Sequence, residues 1–104
     1  MRTNGGILGP QCISRILGDC ARILREPRKA RAEYEEALGI CELMSLRPEK
    51  ALTVLGLAEV LLDHYPEERD DAIEHLDFAI AEFQDMKMQP ALERALRHRG
   101  LLKA

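Results

Sequence analysis

Two stretches of this chain carry one pattern written twice. Ala30, Tyr34, Ala37, Leu38 and Cys41 are answered 42 residues later by Ala72, Leu76, Ala79, Ile80 and Phe83, and Pro48 is answered by Pro90 at the same offset. A period near 40 residues, with small residues returning to one place on a helix, is the signature of a helical repeat. A single unit of that kind cannot bury its own apolar face, so neighbouring units stack to build a shared core.

The prolines divide the chain into helices. Pro10, Pro27, Pro48, Pro66 and Pro90 each precede a run with helical periodicity. Proline suits a first helical turn, where its missing N–H would have no partner anyway. Acids follow two of them, Glu49 in one case and Glu67, Glu68, Asp70 and Asp71 in the other. Negative charge there complements the positive end of the helix dipole. The spacing predicts five helices near 11–24, 27–45, 49–64, 67–87 and 91–103, joined as hairpins in series. The apolar residues are mostly Ala, Leu and Ile, which favour helix over strand.

In the first helix Ile13, Ile16, Leu17, Cys20 and Leu24 share an apolar face. In the second Tyr34, Ala37, Leu38, Cys41 and Met44 do, and in the fourth Ile73, Leu76, Phe78, Ala79, Ile80 and Phe83. The third is apolar nearly all round, from Ala51 to Leu62, as befits a helix covered on most sides.

The spacing Leu17-Gly18, Ala30, Tyr34 and Ala37 resembles the tetratricopeptide repeat. The second copy reads Leu55-Gly56, Ala72, Leu76 and Ala79, with four extra residues around His64 to Asp70 and Leu76 in place of the aromatic. The longer period is similar to repeats in large bacterial signalling and transcription regulators. This resemblance implies an all-α, TPR-like solenoid of about five helices forming one domain. Hairpin 1 would span about 11–45, hairpin 2 about 49–87, and a closing helix about 91–103. It further implies a groove lined by the first helix of each hairpin. Its candidate residues are Gln11, Arg15, Asp19 and Arg22, then Lys50, Thr53, Leu57, Val60 and Leu61, then Arg94 and His98. Arg15, Arg22, Lys50 and Arg94 would meet carboxylates of a protein or peptide partner. The asparagines that the chaperone-tail-binding members set beside their lysines are missing, since Asn4 is the sole Asn.

Charge is ordered along the chain. Residues 1–31 hold seven basic and two acidic side chains, 33–85 hold fifteen acidic and three basic, and 86–104 hold five basic and one acidic. Either these are solvated helix faces, or they steer a charged partner. A second copy of the chain would bring one molecule's basic ends to the other's acidic centre. The apolar face Leu57, Val60 and Leu61 of the third helix is expected to be covered by a second chain, as a homodimer, or by the closing helix 91–103 folded inward. The acidic centre disfavours nucleic acid, though the clusters Arg22 to Arg31 and Arg94 to Arg99 allow weak phosphate contact.

Other chemistry is thin. The sequence predicts no enzyme, no cofactor and no metal site. Asp71 and His75 stand one helical turn apart and form at most a two-ligand half-site. Cys12, Cys20 and Cys41 read as small buried hydrophobes, and Met44, Met86 and Met88 as core fillers. Three cysteines without CxxC spacing, no apolar run of bilayer length and no secretory leader point to the cytoplasm.

Overall fold

In a computed structural model the backbone is described for residues 3–103 and the side chains for residues 13–100. Five helices follow one another: α1 (Thr3–Ile23), α2 (Pro27–Met44), α3 (Arg47–His64), α4 (Arg69–Met86) and α5 (Gln89–Lys103), with one 3-10 turn at Pro66–Glu68 before α4. No strand occurs among the described residues, so the fold is all-α. The helix boundaries follow the prolines, but α1 begins several residues before the expected position 11.

The helix ends repeat as the sequence does. Ser45 and Lys87 both close their helices in the left-handed conformation, with φ of 57° and 58°. In each case the next residue, Leu46 or Met88, returns its backbone N–H to a carbonyl five residues back, at Cys41 or Phe83. That bond satisfies a carbonyl the helix end would leave open. Pro48 and Pro90 then sit second in the following helix. Stop, cap and restart thus recur 42 residues apart with no glycine to mark them.

Each helix packs on the next in chain order, and α1 also touches α3. One core cluster joins Ala51, Val54, Leu55 and Ala58 of α3 to Leu76, Ala79 and Phe83 of α4 and to Leu92 and Ala95 of α5. A second joins Leu57, Val60 and Leu61 of α3 to Ala21, Ala30 and Tyr34 of the first hairpin and to Ala72. Helix α3 is therefore covered on two sides by its own chain.

Tyr34 is the pin between α1 and α3. Its ring is fully buried. A Cβ placed on Gly18 would lie 2.7 Å from the Tyr34 ring, and one placed on Gly56 2.6 Å from it. Both glycines are small because one aromatic ring passes between them. The two Leu-Gly pairs are thus not equivalent in space, since the atoms nearest Gly56 belong to Tyr34 rather than Leu76.

Several sequence expectations change here. The α1 residues Ile13, Ile16, Leu17 and Cys20 do share a face with Leu24, but that face is exposed. The face of α1 turned to α2 is instead Ser14, Gly18 and Ala21, all buried. Met44 is 56% exposed, whereas Met86 and Met88 pack on the core. Cys41 is buried and Cys20 exposed; the Cys12 side chain lies outside the described residues.

Candidate functional site

One polar strip is assembled from α1, α3 and α5. Its centre is Glu59, a carboxylate almost fully buried within the run Ala51 to Leu62 of α3, where it is the only charged residue. An isolated charge could not remain there, because burial disfavours the ionised form. Three basic side chains from two other helices meet it. Arg94 grips both carboxylate oxygens, with Nε donating to Oε2 at 2.8 Å and Nη2 donating to Oε1. His98 Nε2 lies 2.8 Å from Oε2, and Arg22 Nη1 lies 3.5 Å from Oε1. Burial pushes the Glu59 carboxyl up, but Arg94, with Arg22 and His98, outweighs it and holds the group below its ordinary range.

The strip continues toward α1. The Tyr34 hydroxyl donates to Asp19 and accepts from Arg22 Nε at 3.4 Å. Burial first, then the Asp19 carboxylate, raises the Tyr34 phenol far above its ordinary value, so it acts as a hydrogen-bond donor and not as a base. Arg15 makes a two-pronged contact with Glu49, Nε to Oε1 at 2.8 Å and Nη2 to Oε2 at 3.3 Å, and reaches Asp19 at 3.4 Å. The spacing behind this strip is helical: Arg15, Asp19 and Arg22 recur every turn on α1, and Arg94 and His98 on α5.

The expected groove residues therefore divide. Arg15, Asp19, Arg22, Arg94 and His98 do come together, along with Glu59, which sequence reasoning missed. Its signal was present: one carboxylate inside the apolar run Ala51 to Leu62. Thr53, Leu57, Val60 and Leu61 do not line the strip. They are between 0% and 5% exposed, buried within the chain. The Thr53 hydroxyl donates to the Glu49 carbonyl at 2.7 Å, one turn back on its own helix. Lys50 points elsewhere, into the gap between α2 and α4. Its Nζ lies 3.4 Å from Glu42 and 5.2 Å from the centre of the Phe78 ring. The Gln11 side chain lies outside the described residues.

The basic ends and acidic middle are also reconciled within one chain. Arg15 pairs with Glu49, Arg22 and Arg94 with Glu59, Arg31 with Glu68, and Arg99 with Asp77. Arg31 further stacks over Tyr65, 4.8 Å from the ring centre. The charge order along the sequence records which helices meet, and much of it is used up internally.

Among the described residues no group of three or more His, Cys, Asp or Glu side chains could hold a metal ion. No helix among them is long and apolar enough to cross a membrane. Compared with protein-family models, curated proteins and solved structures, the chain matches none.

Proposed function

We propose that this chain is a non-enzymatic protein-interaction module, a short TPR-like stack that binds an acidic peptide segment along the α1–α3–α5 strip. What supports the reading is the convergence of Arg15, Arg22, Arg94 and His98 from two helices on one surface, with Glu59 holding Arg22, Arg94 and His98 from beneath and Glu49 holding Arg15. The Arg22 and Arg94 side chains as a whole keep 27% and 36% of their surface open to solvent while their guanidinium groups are anchored on Glu59. A side chain already fixed by one partner loses less entropy on meeting a second. Planar guanidinium forks also suit carboxylates. Cytoplasmic residence fits a chain with free cysteines.

Arrays of immobilised peptides test this. The protein should retain Glu- and Asp-rich peptides, and Arg22→Ala should weaken retention about tenfold or more, the scale of one charged contact. Lys50→Ala, on the other side of α3, should leave it unchanged. Equal retention by the parent and Arg22→Ala would remove the strip as the binding surface.

A further inference from the structure

The exposed stripe on α1 needs an account that the polar strip does not supply. Matching by packing the buried α1 face Ser14, Gly18 and Ala21 to the α3 face Ala51, Leu55 and Ala58 sets the two helices 37 residues apart, one residue off the 38-residue offset of their Leu-Gly pairs, which are not equivalent in space. Both faces turn toward the second helix of their own hairpin. In this register Ile16, Cys20, Ile23 and Leu24 correspond to Thr53, Leu57, Val60 and Leu61. On α3 those four are buried, three of them clustered with Ala21, Ala30 and Tyr34 of the preceding hairpin. On α1 the corresponding surface is bare: Ile16 is 50% exposed, Ile23 73% and Leu24 67%, with Ile13 at 60% and Leu17 at 43% beside them.

We infer that this face of α1 is a self-association surface, on which α1 of a second copy packs about a two-fold axis. The spacing Ile13, Ile16, Cys20, Ile23 alternates three and four residues, the pattern of a helix–helix seam. No charged side chain interrupts it. Of the charges that flank it, Asp19 and Arg22 are engaged with each other, Tyr34 and Glu59, and Arg25 and Asp63, of opposite sign, stand beside Ile23. The stripe offers roughly 500 Å² of apolar surface, the size of the largest patches on monomers. Doubled by symmetry, it reaches about 1,000 Å², where specific interfaces begin. A head-to-tail partner is disfavoured because the exposed side chains of α5 mix Leu96 with Glu93 and Arg97. An isologous contact uses the same patch twice and closes the assembly. Centred on the stripe, it brings Cys20 of each copy together.

This pairing uses a different face from the polar strip and stands independently of the peptide-binding reading. Sedimentation equilibrium of the whole chain from 1 to 100 µM tests it. The expected result is a concentration-dependent shift from one to two chain masses. The double variant Ile16→Glu, Ile23→Glu should stay at one chain mass with unchanged circular dichroism, because both positions are exposed. Arg22→Ala should dimerise as the parent does. Mild oxidation should yield a covalent dimer that Cys20→Ser abolishes. A monomer at 100 µM, a dimer that survives the double variant, or a dimer with no Cys20 crosslink would each overturn the proposal.

Discussion

Helices α1 and α3 are the first helices of successive hairpins, both carry a Leu-Gly pair, and both border Tyr34, yet their surroundings differ. Helix α3 has the first hairpin on one side and α4 with α5 on the other. Among the described residues, helix α1 packs chiefly on α2 and less extensively on α3. The same kind of apolar residue is therefore core on one helix and surface on the other. Hydrophobicity of a position states what it can tolerate; its neighbours decide what it contributes.

The largest expected effect breaks the comparison directly. Val60 is fully buried, and Ile23, its counterpart in the 37-residue register, is 73% exposed. Val60→Glu should cost about 3–5 kcal/mol or prevent folding, since it buries an unpaired charge. Ile23→Glu should cost less than about 0.5 kcal/mol in the monomer, as surface changes do. Urea melts of both variants measure the contrast, and similar losses would mean that α1 is covered after all.

The next effect asks whether Tyr34 ties the two helices together. Gly18→Ala and Gly56→Ala each drive a methyl against the same buried ring and should each cost about 1–3 kcal/mol through overpacking. Because they share that ring, the double variant should depart from additivity. Additive losses in denaturant melts would show the glycines acting separately.

The smallest effect concerns the charge buried on α3 alone. Glu59 titrates below its ordinary range in the folded chain, so it binds protons more readily when unfolded. Its extra stability is then fully present above the ordinary carboxylate value near pH 4–5 and is lost as pH falls through the folded value. Glu59→Gln should lower stability at neutral pH by about 1–2 kcal/mol and flatten part of the acid limb of a melting-temperature profile. Glu68 and Glu82 are also held low, by Arg31 and Arg47, so a remaining slope is expected. Parallel profiles for parent and variant would mean that the Arg94 grip adds nothing in solution.

Much of this molecule is legible in its sequence. Proline positions, the 3.6-residue apolar period and the 42-residue echo together define the helices and their serial order. The echo even reaches the caps, where Ser45 and Lys87 adopt one conformation despite sharing no chemistry. Part of the polar strip was legible too, because residues spaced one turn apart on one helix must share a side. The contents of α3 were not. Periodicity assigns each residue an angle around its helix axis, and a one-sided apolar stripe says which angle faces inward. A helix apolar all round has no such stripe, so its sequence cannot say which side meets the first hairpin, which meets α4, and where a single carboxylate emerges between them. Only packing set that angle. It placed Leu57, Val60 and Leu61 inside, turned Glu59 toward Arg22, Arg94 and His98, and left Ile16 and Ile23 of α1 uncovered.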